Sequence, residues 1–290
     1  MRPKNLKTKI FLDSGDPDET KKAIKLLGFL DGQTTNPSLI SKNPETARKK
    51  FTKEELLGFY KEVVQEVSGL IPEGSVSIEV YADKNTSAEE MLKQGKRMFS
   101  WISNPSTSLG AGAHIKYPTT VTGLEAARLS IAEGMRVNMT LVFFQQQAAA
   151  VYAATRGAKK GDAFLSPFIG RLDDRGENGM QLIKNIIQMY KQGDGHVEVL
   201  VASVRSLDHL LAAIQLGSDI VTAPWKVLKE WGEGGLGLPA GDFQYKPEGL
   251  REIPYKEISL EQDWRAFDIS HDLTDKGVDT FAEDWNSLLK

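Results

Sequence analysis

The chain has 290 residues, 40% of them hydrophobic and 26% charged, which is the composition of a globular protein with a sizeable core. Its formal net charge of -3 argues against a nucleic-acid partner, because proteins that neutralise phosphates carry an excess of Lys and Arg. The absence of cysteine excludes disulfides, thiolate metal sites and thiol nucleophiles.

The start of the chain reads MRPKNLK and lacks the apolar segment of a signal peptide. No run of about 18 apolar residues follows, so we expect no membrane span and no membrane partner. These features predict a cytoplasmic protein.

Short runs rich in apolar and β-branched residues recur along the chain and predict strands. They cover residues 9–13, 32–36, 76–82, 114–117, 136–143, 163–170, 198–204 and 219–223. Segments with helical periodicity lie between them, among them residues 18–27, 122–133, 180–192 and 207–216. Alternating strands and helices predict an α/β protein with a parallel sheet. Eight such units indicate a closed (β/α)₈ TIM barrel, although an open doubly wound sheet has the same local pattern.

The end of the chain has a different pattern. Residues 232–255 are rich in Gly and Pro, which predicts a long loop that either covers the barrel mouth or leads to a C-terminal helix. That helix is predicted over about residues 274–289, with one apolar face formed by Val278, Phe281, Ala282, Trp285 and Leu288. We therefore expect a single TIM-barrel domain over residues 1–290, with its barrel over about residues 9–230 and a C-terminal helical extension.

Polar residues cluster inside or just beyond the C-terminal ends of the predicted strands. They are Asp13, Thr34, Thr35, Asn36, Glu79, Lys116, Asn138, Thr140, Ser166, Arg171, Ser203 and Arg205. In a TIM barrel these ends form the mouth that holds the active site. Because buried polar groups destabilise a core, a functional site explains the whole set better than mutual hydrogen bonding does.

Lys116 is unusual among the basic residues because it lies in an apolar strand after Ile115. A lysine on a buried strand must keep its amine hydrated, pair it with a carboxylate or lose its proton. It is therefore either one half of a structural ion pair or an amine nucleophile for a carbonyl substrate. The charge pattern alone leaves both interpretations open.

Six strings of residues around these strands resemble the transaldolase family. They are IFLDSG at 10–15, DGQTTNPSL at 31–39, HIKYPTT at 114–120, VNMTLVF at 137–143, LSPFIGR at 165–171 and ASVR at 202–205. The resemblance covers about residues 9–230 and again 277–289, whereas the glycine-rich segment between them is less typical of the family.

The resemblance implies a role for each matching residue. Lys116 matches the lysine that forms a Schiff base with the sugar, and Glu79 matches the general acid/base that acts through a water molecule. Asp13 matches the aspartate of the first strand, and Thr140 matches the threonine that helps to hold the water. The substrate-binding set that the resemblance implies is Thr35, Asn36, Asn138, Ser166, Phe168, Arg171, Ser203 and Arg205. Within it, Arg171, Ser203 and Arg205 match the phosphate-binding group.

Two positions bear on the type of reaction. Related fructose-6-phosphate aldolases carry glutamine at the position of Glu79 and tyrosine at that of Phe168, so both residues here follow the transferase pattern. A phenolic hydroxyl could protonate the enamine of the dihydroxyacetone unit, and Phe168 has none. The resemblance implies that this unit passes from fructose 6-phosphate or sedoheptulose 7-phosphate to erythrose 4-phosphate or glyceraldehyde 3-phosphate, as in the pentose phosphate pathway. The alternatives are an aldolase that releases free dihydroxyacetone and a sugar-phosphate binding barrel without turnover.

No cofactor is expected, because the iminium itself serves as the electron sink. The four histidines are too scattered in sequence to predict a metal site. Neither a dinucleotide-binding nor a P-loop motif is present. The expected partners are sugar phosphates, and the family resemblance implies a homodimer or a higher homo-oligomer. The sequence predicts no role for Tyr117.

Overall fold

The computed structural model describes residues 1–47, 49–102 and 112–290, and within them eight parallel strands form a closed barrel. The strands are β1 (Lys9–Asp13), β2 (Gly32–Thr34), β3 (Ser75–Glu79), β4 (Gly112–Pro118), β5 (Val137–Val142), β6 (Ala163–Pro167), β7 (Val197–Val201) and β8 (Ile220–Ala223). Each strand pairs with the next in sequence, and β8 pairs with β1 to close the barrel. The predicted (β/α)₈ barrel is confirmed, and the open sheet is excluded.

Helices follow the strands and surround the barrel. Their bounds are α1 (Pro17–Leu27), α2 (Pro37–Ser41), α3 (Lys53–Leu70), α4 (Ala88–Phe99), α5 (Val121–Ala132), α6 (Gln145–Ala154), α7 (Ile169–Asp173), α8 (Gly179–Tyr190), α9 (Leu207–Gln215), α10 (Trp225–Glu233) and α11 (Asp272–Asn286). The helices predicted from periodicity correspond to α1, α5, α8, α9 and α11. Among the residues described, no helix has the length and apolar character needed to cross a membrane.

Several strands end earlier than their apolar runs predict. After β2, Asn36 adopts an N-cap conformation and its Oδ1 accepts a hydrogen bond from Leu39 N at 2.8 Å. The next residue, Pro37, has no N–H with which to continue the ladder. After β6 the chain turns directly into the short helix α7. The residues beyond these strands therefore lie on loops and helix starts at the barrel mouth.

The barrel interior is layered because side chains alternate along each strand. Near the N-terminal ends, His114 stacks on Phe164 at a centroid distance of 3.9 Å, and Phe11 packs edge-on against Phe164. Two residues further along the same strands, on the same face, lie Asp13, Lys116 and Ser166. An aromatic layer thus closes the barrel beneath a polar layer at the mouth.

The chain after α10 runs around the outside of the barrel. Its carbonyls accept hydrogen bonds from the outer helices: Gln215 Nε2 binds Phe243 O and Asn185 Nδ2 binds Ile253 O, each at 2.8 Å. The segment then leads to α11. Of the two predicted alternatives, it therefore connects to the C-terminal helix and does not cover the barrel mouth. Gly232, the first residue of the predicted loop, still belongs to α10.

The C-terminal helix α11 lies across the barrel mouth. Thr274 Oγ1 donates a hydrogen bond to Leu141 O at 2.9 Å, which ties the start of the helix to β5. A Cβ atom on Gly277 would lie 2.6 Å from the Leu141 side chain, so glycine allows the helix to approach this closely. Trp285, near the other end of α11, packs against Tyr60 of α3.

Candidate active site

Lys116 and Glu79 form a buried ion pair at the mouth. They are partners in the register of β3 and β4, and Lys116 Nζ lies 3.1 Å from Glu79 Oε2. Both side chains are only 3% exposed. Lys116 Nζ also donates a hydrogen bond to the carbonyl oxygen of Thr35 at 3.2 Å. The amine of Lys116, which lies on β4, is thus held at a defined position by Glu79 of β3 and by the residue that follows β2.

Burial changes the proton affinity of the two carboxyl groups in the polar layer. It raises the pKa of Glu79, although the positive charge of Lys116 opposes this shift. It likewise raises the pKa of Asp13, against the opposing effects of Lys116 and of a hydrogen bond from Thr34. Both carboxylates are therefore better proton acceptors than exposed ones.

Asp13 is oriented by a chain of hydroxyl groups. Thr34 Oγ1 donates to Asp13 Oδ1 at 2.6 Å and is 2.7 Å from Thr222 Oγ1. Since the Thr34 proton points to the carboxylate, Thr222 must donate to Thr34. This arrangement fixes the rotamer of Asp13 from β2 and β8.

Two buried oxygens of the polar layer have no hydrogen-bond partner within the described part of the chain. They are Glu79 Oε2, which Lys116 approaches outside hydrogen-bond geometry, and Thr140 Oγ1. An unsatisfied buried polar atom costs about 1–3 kcal/mol. Thr140 lies where the β5–β6 register shifts, and the next residue, Leu141, has a strained φ of 61°. An unsatisfied buried hydroxyl and a strained backbone thus lie side by side at Thr140 and Leu141. Both features destabilise the fold and are common at functional sites.

Asn138 and Ser166 connect three strands inside the barrel. Ser166 Oγ donates to Asn138 Oδ1 at 2.7 Å, and Asn138 Nδ2 donates to Ser77 Oγ at 3.0 Å. Asn138 is the register partner of Lys116 on β5. Its amide therefore lies beside the lysine in a fixed orientation.

Thr35 and Asn36, the two predicted site residues that follow β2, differ in orientation. Asn36 is buried at the start of α2, where its side chain caps the helix. The hydroxyl of Thr35 points outward from the site and bonds to Tyr60 OH at 2.6 Å and Ser77 O at 2.7 Å. Thr35 thus contacts Lys116 through its backbone carbonyl and not through its hydroxyl.

Arg171 lies between two aromatic rings. Its guanidinium carbon is 5.4 Å from the ring centre of Phe168 and 5.5 Å from that of Phe281 on α11. Among residues 1–47, 49–102 and 112–290, its guanidinium makes no hydrogen bond or ion pair. Burial lowers the pKa of Arg171; the charge of Glu79 opposes this shift, and that of Arg205 adds to it. The aromatic faces therefore orient a cation that remains open to an anionic ligand.

Arg205 and Ser203 follow β7, next to the start of α7. Arg205 is half-exposed and pairs with Asp174 at 3.0 Å. Gly170 N donates to Ser203 O at 3.1 Å, and a Cβ atom on Gly170 would lie 2.3 Å from that oxygen and 2.4 Å from Arg205 Nε. Glycine at this position allows the β7 loop to approach α7, which brings the two arginines to one side of the mouth.

Tyr117 points away from the site, as expected for the residue that follows Lys116 on a strand. Its hydroxyl donates to Ser130 Oγ at 2.9 Å on α5, since Ser130 donates in turn to Ala126 O. A Cβ atom on Gly95 would lie 2.1 Å from the Tyr117 hydroxyl. Tyr117 therefore helps to pack β4 against α4 and α5.

Tyr60 and Phe281 contact site residues but were not predicted as part of the site. The sequence identified Phe281 only as a member of an apolar helix face. Tyr60 lies in α3, which comes after β2 and carries none of the predicted site residues. Their proximity to the site follows from tertiary packing, which the sequence pattern does not encode. In the part of the chain described here, no group of three or more His, Asp or Glu side chains is arranged to bind a metal.

Comparison with known proteins places the chain in a family. Residues 10–290 match the family model described as transaldolase/fructose-6-phosphate aldolase. A probable transaldolase of Dehalococcoides mccartyi is 35% identical over 97% of this chain and 100% of its own length. One of Bdellovibrio bacteriovorus is 33% identical over 97% of this chain and 99% of its own.

Among solved structures, the chain is similar to 3-hexulose-6-phosphate synthase from Salmonella typhimurium, with a TM-score of 0.45 and 13% identity. The match covers 80% of this chain and 99% of that one, but it is too distant to bear on activity. The sequence relatives and the family model cover nearly the whole chain. The protein therefore belongs to the transaldolase/fructose-6-phosphate aldolase family.

Proposed function

We propose that the protein is a transaldolase that moves a dihydroxyacetone unit between sugar phosphates through a Schiff base on Lys116. The donors are fructose 6-phosphate and sedoheptulose 7-phosphate, and the acceptors are erythrose 4-phosphate and glyceraldehyde 3-phosphate, which are the substrates of the pentose phosphate pathway. The observation that carries this proposal is the buried contact of 3.1 Å between Lys116 and Glu79 at the barrel mouth.

The first step requires a neutral amine. Glu79 lies close enough to accept the lysine proton, and burial raises the pKa of its carboxyl group. Lys116 Nζ then attacks the C2 carbonyl of the ketose and forms a carbinolamine. Its hydroxyl leaves as water with the proton that Glu79 took from the lysine, which gives the iminium and restores the Glu79 carboxylate. The distance and the burial of Glu79 support its role in this step.

The second step breaks the C3–C4 bond of the sugar. The C4 hydroxyl loses its proton, the aldose leaves, and the bonding electrons move toward the iminium nitrogen to give an enamine. We assign the proton acceptor to the Glu79 carboxylate, acting through a water molecule held between Glu79 and Thr140. Within the described residues, Glu79 Oε2 and Thr140 Oγ1 have no hydrogen-bond partner, and this supports the assignment because a bridging water would satisfy both.

Substrate hydroxyls and the phosphate bind on opposite sides of the lysine in this proposal. Asp13, Asn36, Asn138 and Ser166 bind the dihydroxyacetone part. On the other side, Arg171, Arg205 and Ser203 bind the phosphate, where a planar guanidinium suits an anionic group with several oxygens. The guanidinium of Arg171 has no ion-pair partner among the described residues, which supports this second assignment.

Phe168, which lies beside Arg171, favours transfer of the dihydroxyacetone unit over its release. Phe168 is buried and offers no hydroxyl that could protonate the enamine. The enamine therefore waits for an acceptor aldehyde and attacks its carbonyl carbon, while the carbonyl oxygen takes back, through the water, the proton that Glu79 accepted in the second step. Water then hydrolyses the iminium and releases the new ketose. Glu79, at a position where the aldolases carry glutamine, supports the same interpretation.

Borohydride trapping tests the Schiff base. We expect reduction in the presence of fructose 6-phosphate to attach a sugar-derived adduct to Lys116, detected by peptide mass spectrometry. Lys116→Met should abolish the adduct. The control is Lys9→Met, which removes another strand lysine that pairs with a buried glutamate, Glu198, at 3.2 Å. Adduct formation that persists without Lys116 would refute the proposal.

A further inference from the structure

The hydrogen-bond ladder between β2 and β3 is interrupted next to the Lys116–Glu79 pair. Thr34 and Ser77 are register partners, and Thr35 N donates to Ser77 O at 3.0 Å. In a parallel ladder of the same register, the next bond would run from Glu79 N to Thr35 O. Instead, Glu79 N donates to the hydroxyl of Tyr60 at 3.0 Å.

The direction of each hydrogen bond around Tyr60 is fixed by the available protons. Thr35 Oγ1 donates its only proton to Ser77 O at 2.7 Å, so it must accept the proton of Tyr60 at 2.6 Å. The Tyr60 oxygen in turn accepts the N–H of Glu79. Tyr60 is fully buried, and burial raises the pKa of its phenol, so it keeps this proton throughout the working pH range.

Because Glu79 N bonds to Tyr60 and not to Thr35 O, the Thr35 carbonyl is free to accept another hydrogen bond. Lys116 Nζ takes it as an acceptor at 3.2 Å. We propose that Tyr60 is a positioning residue, whose hydroxyl binds Glu79 N and Thr35 Oγ1 and so leaves the Thr35 carbonyl free to orient Lys116. This inference rests on the proposed function, because it explains how the two reacting side chains are held.

The ring of Tyr60 is anchored independently of its hydroxyl. It packs against Trp101 at a centroid distance of 5.8 Å and against Trp285 of α11 at 5.9 Å. Tyr60→Phe therefore removes the hydrogen bonds but keeps the aromatic packing. The freed N–H of Glu79 is expected to turn to Thr35 O, the acceptor that Lys116 now uses.

The test compares kcat and KM of Tyr60→Phe with those of Tyr190→Phe. Tyr190 is also a buried tyrosine, but its hydroxyl bonds to Ala148 O at 2.7 Å between outer helices. Both variants lose one buried hydroxyl, so a structural effect alone would be similar in both. We expect kcat of Tyr60→Phe to fall about tenfold with KM changed less than about twofold, and kcat of Tyr190→Phe to stay near that of the wild type. A kcat of Tyr60→Phe within about twofold of the wild type would overturn the inference.

A crystal structure of Tyr60→Phe provides a second readout that needs no substrate. It should show Glu79 N bonded to Thr35 O and Lys116 Nζ beyond hydrogen-bond distance of that oxygen. An unchanged contact between Lys116 and Thr35 O would overturn the inference even if activity fell. If Tyr60→Phe does not fold, Thr35→Val removes the acceptor of the Tyr60 proton and is tested by the same two readouts. Failure of borohydride trapping in the wild type would refute the proposed function, whereas the crystal structure would still decide the role of Tyr60.

Discussion

Phe281 of the C-terminal helix lies over the guanidinium of Arg171 at 5.5 Å, although the two residues are far apart in sequence. Phe168 lies at 5.4 Å on the same guanidinium, so one ring from the barrel and one from α11 hold it. Gly277, one turn earlier on α11, has no Cβ, and a Cβ there would lie 2.9 Å from Arg171 Nη1. The C-terminal helix therefore shapes the proposed phosphate site as well as covering the mouth.

Phe281→Leu should weaken phosphate binding without changing the chemical step. Loss of one cation–π contact, about 0.5–2 kcal/mol, leaves Arg171 less well oriented. We expect KM for fructose 6-phosphate to rise roughly fivefold, with kcat changed less than about twofold. Phe243→Leu, in the segment outside the barrel, is the control. A lower kcat with unchanged KM would show that Phe281 acts on the lysine side of the site instead.

Thr140→Val should separate stability from activity. Valine has nearly the shape of threonine, and Thr140 Oγ1 bonds to no group in the described residues, so the substitution breaks no hydrogen bond within the protein and should leave the free energy of unfolding in urea near that of the wild type. The proposed water site would be lost, and kcat should fall tenfold or more, on the order expected for impaired proton transfer.

Thr155→Val is the matched control, because the Thr155 hydroxyl is buried and donates to Val151 O at 2.8 Å away from the site. It should destabilise the protein by about 1 kcal/mol and leave kcat unchanged. If Thr140→Val were destabilising and fully active, Thr140 would be an ordinary structural residue.

The barrel was predictable because its strands are apolar runs, and seven of the eight carry predicted site residues within them or just beyond their ends. Lys116 and Glu79 are conspicuous charges within apolar strands, but the charge pattern left a structural ion pair open for Lys116, and the roles of both residues were predicted from the family resemblance. The alternation of side chains also explains Tyr117, which points outward because Lys116 points inward. The barrel and the charges within its strands depend on local sequence and could be predicted from it, whereas no role was predicted for Tyr117.

Contacts made by the surrounding helices were not predictable in the same way. Tyr60 belongs to α3, and nothing in its spacing shows that its hydroxyl takes the N–H of Glu79. The outward orientation of the Thr35 hydroxyl is part of the same contact. The segment after α10 is rich in Gly and Pro and has no periodic pattern that predicts its path. Side-chain hydrogen bonds such as that of Gln215 to Phe243 O, and apolar residues such as Tyr245 packed against the core, hold it to the barrel.

Phe168→Tyr should shift the reaction from transfer toward release. A phenol at this position can supply a proton to the enamine, which frees dihydroxyacetone without an acceptor. We expect acceptor-independent release of glyceraldehyde 3-phosphate to increase about tenfold or more. Phe164→Tyr, in the aromatic layer beneath the site, is not expected to do this. No increase for Phe168→Tyr would mean that the ring does not control the fate of the enamine.

His114 should make the fold sensitive to acid. Both ring nitrogens are bonded, to Ser75 Oγ at 2.7 Å and Gly161 O at 2.8 Å, and burial lowers the pKa of His114 to about 3. Because the folded-state pKa is below the ordinary value of 6.5, its contribution to stability is complete above that pH and is lost as the pH falls toward 3. By about pH 4 the loss should be about 3 kcal/mol relative to neutral pH.

The comparison with His114→Gln isolates this contribution from those of the carboxyl groups. Urea unfolding at several pH values should show the wild type losing more stability than the variant between about pH 6.5 and pH 4. Parallel losses in the two proteins would show that His114 does not stay neutral in the folded state.

The most direct test of the proposed transaldolase activity is the release of glyceraldehyde 3-phosphate from fructose 6-phosphate, measured with and without erythrose 4-phosphate. We expect release only when the acceptor is present, together with formation of sedoheptulose 7-phosphate, and no release from Lys116→Met. Equal release without acceptor would contradict the transferase assignment and make the protein an aldolase. Absence of release under both conditions would contradict the assignment of fructose 6-phosphate as a donor.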